Sequence, residues 1–149
     1  MRTLYTVEAI SKGGRRGAVW SPDRVLNDSL GDPLDPADDY CGPSPELLFA
    51  GAYAACFHGA LAKVAASPDA PPADSLVRAL VSLAEDAEGG SHLMVELHAS
   101  VPGLDAARVR TLMEEAHRIC PYSKALRGGG TAIRLVVDQA PNLSESQRT

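Results

Sequence analysis

Residues 3–10, Thr-Leu-Tyr-Thr-Val-Glu-Ala-Ile, are rich in β-branched and aromatic side chains and predict a strand. A Gly-Gly-Arg-Arg-Gly turn at 13–17 follows, and Ala18-Val19-Trp20 reads as the return arm of a hairpin. Residues 24–27 predict a third short strand. From Gly31 to Pro45 the Pro and Asp content excludes regular structure and predicts a long surface loop. Its length exceeds that of ordinary connections, which gives a functional or interface role some weight.

Ser44-Pro45-Glu46 reads as a helix start, with Ser as N-cap, Pro at the first helical position and an acid in the first turn. The helix is predicted to run to about Ala66 and to stop before Ser67-Pro68. It is apolar on all sides, so burial on all sides is expected. At about 20 residues it would be roughly 30 Å long, too much for so small a chain to enclose, and a second subunit is expected to cover part of it.

Residues 75–83 and 92–101 form the clearest strand pair. Val77, Ala79, Val81 and Leu83 alternate with more polar positions, as do Leu93, Val95, Leu97 and Ala99, and Glu88-Gly89-Gly90-Ser91 supplies the turn. A second helix is predicted over 105–119, where Val109, Leu112, Met113, Ala116 and Ile119 share one face. It ends at Cys120-Pro121. A Gly-Gly-Gly turn at 128–130 precedes a last strand over 132–137, and a polar tail follows from Gln139. The order is that of an α+β protein, with one domain over 1–138 and a tail over 139–149.

Composition narrows the function classes. The chain has 149 residues, is 45% hydrophobic and 22% charged, and carries a net charge of −5. That balance, with basic residues scattered apart from Arg15-Arg16, argues against nucleic acid as a partner. The N-terminal residues alternate rather than forming a signal-peptide core. No apolar run approaching the roughly 20 residues of a bilayer span is read from the sequence, so a cytoplasmic protein without a membrane partner is expected.

Three cysteines, Cys41, Cys56 and Cys120, are an odd count without a C-x-x-C, which fits neither a disulfide framework nor a zinc site. They are either buried structural thiols or reactive ones. Cys56 sits in the middle of the apolar helix, where burial raises a thiol's pKa, so reactivity would require a cation brought by the fold. Arg15, in its glycine-rich turn, is the conspicuous candidate; the alternative is that Arg15 and Arg16 form a solvated hairpin tip. Cys120 lies at the C-terminal end of a helix, whose partial negative charge disfavours thiolate. Glu46 lies ten residues before Cys56 on the same helix, about 15 Å away and about 80° off in direction. It is either a favourable first-turn acid or a residue that serves the Cys56 of a neighbouring subunit.

Three motifs then carry a resemblance. They are Gly13-Gly14-Arg15 with Gly17; Pro45-Glu46-Leu47-Leu48-Phe49-Ala50 with Tyr53-Ala54-Ala55-Cys56-Phe57; and Cys120-Pro121-Tyr122-Ser123-Lys124-Ala125 with Arg127-Gly128. In order and separation they resemble the organic hydroperoxide resistance (Ohr) branch of the OsmC/Ohr family over about residues 1–138. The resemblance implies antiparallel sheets around a long buried central helix and a second helix, in an intertwined homodimer with active sites at the subunit interface. It also implies a thiol-dependent peroxidase without metal or haem, acting on alkyl and fatty-acid hydroperoxides and re-reduced by a dithiol such as a dihydrolipoyl group on a lipoylated protein. Carried over residue by residue, Cys56 would attack the peroxide and Cys120 would resolve its sulfenic acid as a disulfide. Arg15 would stabilise the thiolate, and Glu46 would hold Arg15. Phe49, Tyr53 and Phe57 would suit an alkyl group.

This chain departs from the pattern in its Ala-Gly-Ala-Tyr order, in Leu47 where Gln is common, and in the extra Cys41, which is an exposed thiol, a second resolving partner or, the favoured reading, a passive residue. His58 and His117, close in sequence to the two cysteines, are read as packing residues. Two competing readings remain. One is an OsmC-type peroxidase of broader specificity. The other is a non-catalytic dimer that binds an apolar ligand and keeps its function when Cys56 becomes serine.

Overall fold

The computed structural model describes residues 1–39, 42–65 and 74–138. Cys41, the predicted end of the first long helix at Ala66 with its Ser67-Pro68 stop, and the tail over 139–149 lie outside the described residues. The chain divides into two compact units at Leu48 and Phe49.

The first unit holds a small antiparallel sheet of β1 (Ile10–Lys12), β2 (Ala18–Trp20) and β3 (Asn27–Ser29), in that order. Ile10 pairs with Trp20, and Trp20 with Asn27. Two expectations are corrected here. Residues 3–9 form no strand: a strand needs a hydrogen-bonding neighbour, and in this chain only Ile10–Lys12 meet β2. Residues 24–26 belong to a turn, in which the Ser21 N–H donates to the Leu26 carbonyl and Arg24 takes φ 63°. The third strand therefore starts at Asn27. The described residues from Gly31 to Ser44 carry no helix or strand, as the Pro and Asp content predicts, and Pro45 already opens the next helix.

Helix α1 (Pro45–Val64) starts where expected, with the Leu47 N–H donating to Ser44 Oγ at 3.2 Å. Its burial is a third correction. Only Tyr53, Phe57, Ala60 and Leu61 are buried, while Leu47, Gly51, Ala52, Ala55, Gly59 and Ala62 are exposed. The buried side chains recur at three- and four-residue steps and form one stripe, because one layer of packing covers one side of a helix. At 20 residues α1 is also long and apolar enough to cross a bilayer, which corrects the expectation that no apolar run approaches that length. Its buried stripe lies in the protein core, the ordinary position of a core helix.

The second unit builds that core. β4 (Leu76–Glu85) and β5 (Ser91–Ser100) form the predicted hairpin, with Val81 opposite Val95 and a turn closed by the Asp86 N–H on the Gly90 carbonyl. Val95, Leu97 and Ala99 of β5 turn inward at the period of two. Helix α2 (Ala106–Ile119) is capped by Asp105, whose side chain accepts from the Arg108 N–H at 2.8 Å. It buries Val109, Leu112, Met113 and Ala116, the face read from the sequence.

Pro121 then opens a six-residue helix that the sequence reading does not contain, α3 (Pro121–Leu126). The last strand, β6 (Ile133–Val137), runs parallel to β5. That corrects the all-antiparallel expectation: the connection through α2 and α3 is long enough to cross over and return in the same direction. Tyr53, Phe57 and Leu61 meet Val95, Leu97, Leu112 and Met113 in one cluster. Leu61 is fully buried there. Leu61→Ala is expected to lower stability by about 2–5 kcal/mol, read as a lower urea midpoint with an unchanged slope.

Candidate functional site

Two constellations stand out, one in each unit. In the first, Gly13 and Gly14 take φ 83° and 63°, a backbone path open to glycine. At Gly17 a Cβ would lie 1.8 Å from the Lys12 carbonyl oxygen. These three glycines fold the turn tightly enough to present Arg15 from its centre. Arg15 donates from Nη1 and Nη2 to the two Glu46 carboxylate oxygens at 2.9 and 2.7 Å. This is the two-pronged geometry that makes Arg–carboxylate pairs strong. Arg15 Nε also donates to Asp32 at 3.4 Å. The sequence reading paired Arg15 with Glu46 through the resemblance alone, and it missed Asp32. The one available signal was the unusual length of the loop that carries Asp32.

The pair is electrostatically consistent. The Arg15 side chain, 35% exposed, has its pKa raised, chiefly by the hydrogen bond to Glu46. The same bond holds the Glu46 carboxyl below its ordinary 4.5 against the upward push of desolvation. A carboxyl whose folded pKa is depressed contributes stability that is present above its unfolded value and lost as pH falls through the folded one. Stability is therefore expected to fall on acidification below about pH 4.5, and Glu46→Gln should flatten that fall, as read by urea unfolding across pH.

In the second unit the two cysteines meet. Cys120 Sγ lies 3.7 Å from Cys56 Sγ, and both are free thiols. The sequence placed them 64 residues apart; the fold brings together the middle of α1 and the α2–α3 junction. Cys120 is both the residue that ends α2 and the one that starts α3. The partial negative charge expected there is thus opposed by the partial positive charge of the next helix. Burial pushes the Cys56 thiol above its ordinary value, the backbone N–H of Tyr122 donates to it and draws it down, and the adjacent Cys120 pushes it up again. Burial has the largest effect, so Cys56 with these neighbours alone is a poor thiolate.

Aromatic rings gather beside the thiols. Phe49 meets Tyr53 edge-on at 5.8 Å, and Tyr122 stacks against Phe49 at 6.3 Å. The Tyr53 hydroxyl bonds Ser123 Oγ at 2.8 Å in the buried interior. Tyr53 and Phe57 are sealed in the core, whereas Tyr122 is 37% exposed. Tyr122 and Ser123 belong to a motif quoted from the sequence, yet nothing in their spacing showed that one would donate to Cys56 and the other bind Tyr53.

His58 Nε2 bonds Ser75 Oγ at 3.0 Å. His117 Nδ1 is buried without a hydrogen-bond partner, and burial together with the Arg127 guanidinium lowers its pKa. Among the described residues no three His, Cys, Asp or Glu side chains cluster in a way that could hold a metal ion.

A family model described as OsmC-like protein matches residues 36–136. The chain is 40% identical over 131 residues to an organic hydroperoxide resistance protein of Xanthomonas axonopodis pv. citri, covering 85% of this chain and 90% of that one. Among solved structures, the organic hydroperoxide resistance protein OhrB of Bacillus subtilis superposes with a TM-score of 0.83 at 38% identity, over 91% of this chain and all of the other. An organic hydroperoxide resistance protein from Legionella pneumophila does so with a TM-score of 0.83 at 37% identity, over 93% and 100%.

Proposed function

Since the chain belongs to the OsmC-like protein family, in its organic hydroperoxide resistance branch, we propose that it is a thiol-dependent peroxidase reducing organic hydroperoxides to alcohols. The observation that carries this reading is the free Cys56–Cys120 pair with its sulfurs 3.7 Å apart. In the proposed cycle the Cys56 thiolate attacks the distal peroxide oxygen. The O–O bond breaks, the alkoxide leaves and takes up a proton, and Cys56 becomes a sulfenic acid. Cys120 sulfur then attacks Cys56 sulfur and water departs, leaving a disulfide. An external dithiol, of which a dihydrolipoyl group on a lipoylated protein is the proposed form, returns the pair to thiols. Both electrons pass through sulfur, so the cycle calls for no metal or haem.

The poor intrinsic acidity of Cys56 assigns a role to the first constellation. Arg15, aligned by Glu46 and Asp32, is the cation that would lower the thiol and orient the peroxide. We assign its delivery to a homodimer in which each Cys56 is served by the neighbouring subunit's Arg15–Glu46 pair. Two groups of exposed residues support that arrangement: the small side chains of α1 from Gly51 to Ala62, and Leu4, Tyr5 and Val7, which are 78–82% exposed. Phe49 and Tyr122 offer apolar surface to an alkyl chain, which favours organic hydroperoxides over hydrogen peroxide. The cytoplasm is the compartment whose thiol pool suits such a cycle.

The test is hydroperoxide consumption with dihydrolipoamide as reductant, comparing cumene hydroperoxide with hydrogen peroxide, followed by peptide mass spectrometry. Preferential use of cumene hydroperoxide and a Cys56–Cys120 linkage lighter by two hydrogens are expected. Turnover without that linkage would sink the two-cysteine mechanism. Equal use of both peroxides would point to the broader OsmC-type specificity.

A further inference from the structure

The hydroxyl pair next to the thiol pair has no part in the cycle described so far. Tyr53 Oη and Ser123 Oγ lie 2.8 Å apart, and both residues are fully buried. Tyr53 stands three residues before Cys56 on α1, and Ser123 three residues after Cys120 in the first turn of α3. The two elements therefore touch at two polar points about one helical turn apart, hydroxyl to hydroxyl and sulfur to sulfur. One contact sets a separation; two also set the rotation of one element on the other.

We propose that the Tyr53–Ser123 hydrogen bond is a positioning device that holds α3 in register on α1 and so keeps Cys120 Sγ within reach of Cys56 for disulfide closure.

The relative strength of the contacts decides which one does the holding. A thiol is a weak donor and a weak acceptor, so the 3.7 Å sulfur contact cannot itself fix two helices. Buried hydroxyls without a partner are costly. Any slide or rotation of α3 would orphan both hydroxyls at a place water does not reach. α3 also needs such a hold: it has six residues, far below the length at which a helix is stable alone. It leads into the glycine run at 128–130, where Gly128 and Gly130 take positive φ. Phenylalanine at position 53 would fill nearly the same space, so core packing alone does not call for a hydroxyl there. The Tyr122 N–H on Cys56 sits between the two contacts and depends on the same register.

This proposal rests on the reading that Cys56 and Cys120 act as a redox couple, but its test contains no peroxide. The dithiol is equilibrated anaerobically with glutathione disulfide and glutathione, so that two thiols and one glutathione disulfide give the Cys56–Cys120 disulfide and two glutathiones. Both forms are counted by alkylation and mass spectrometry. Tyr53→Phe and Ser123→Ala are each expected to lower the equilibrium constant for closure about tenfold, which makes the couple roughly 30 mV more oxidising. The double variant should equal a single one, since all three lose one bond.

A purely structural role would lower the unfolding midpoint and leave that equilibrium in place. Closure unchanged within about twofold in both single variants, or losses that add in the double, would overturn the positioning role. If Ser123→Ala does not fold, Tyr53→Phe decides alone. Failure of the unaltered protein to consume cumene hydroperoxide, with its glutathione equilibrium intact, would sink the peroxidase reading and leave the positioning device standing.

Discussion

Replacing Cys56 by serine is expected to remove hydroperoxide turnover altogether, by more than about a thousandfold, because a serine hydroxyl stays protonated where a thiol can ionise. Cys120→Ser should behave differently. Its first encounter with hydroperoxide should still release one alcohol per site, since the attacking sulfur is intact. The cycle should then stop at the Cys56 sulfenic acid, which excess peroxide converts to the sulfinic form. Stopped-flow consumption and a sulfenic-acid trap read by mass spectrometry separate the two results. Both variants should fold: each change replaces one sulfur by oxygen, at Cys56, which is partly buried, and at Cys120, which is enclosed. Cys56 and Cys120 are the free cysteines among the described residues, and a burst from the double variant would overturn their assignment. If instead the protein only binds an apolar ligand, that binding should survive in all three variants.

Arg15→Ala is the second large effect. Burial raises the Cys56 thiol above its ordinary value, and each unit of pKa above the working pH lowers the thiolate fraction about tenfold. A neighbouring cation shifts a thiol or carboxyl downward by about one to three units. Losing it should therefore slow the peroxide step by about 10–10³-fold at neutral pH. The sign gives a sharper test: the rate–pH profile should move to higher pH, so that the variant recovers part of its rate in alkaline solution. Arg15→Lys should keep part of the charge effect and lose the two-pronged grip on Glu46, falling between the two. A variant rate that stays flat from neutral to alkaline pH would show that Arg15 does not act on the thiol.

Much of the fold was legible because its signals are local. The N-cap at Ser44, the alternation of β5 and the apolar face of α2 each depend on residues within a few positions of one another, and the structure shows all three. Elements that depend on a distant partner were misread. Residues 3–9 have strand composition but no strand to pair with among the described residues. α3 is too short for periodicity to reveal, and the direction of β6 follows from its crossover. The apolar length of α1 was clear, but which of its sides would be covered was not.

The candidate site divides in the same way. The reactive types were legible along the chain: two cysteines in apolar and helix-end settings, an arginine in a glycine-rich turn, and an acid in a helix's first turn. Residue chemistry and backbone preference are local properties. Folding in three dimensions is what sets the thiols 3.7 Å apart, closes Glu46 and Asp32 on Arg15, and brings Tyr53 to Ser123. Each of these is a through-space distance between segments far apart along the chain. Such a distance depends on how whole elements pack, and no pattern within either segment contains it.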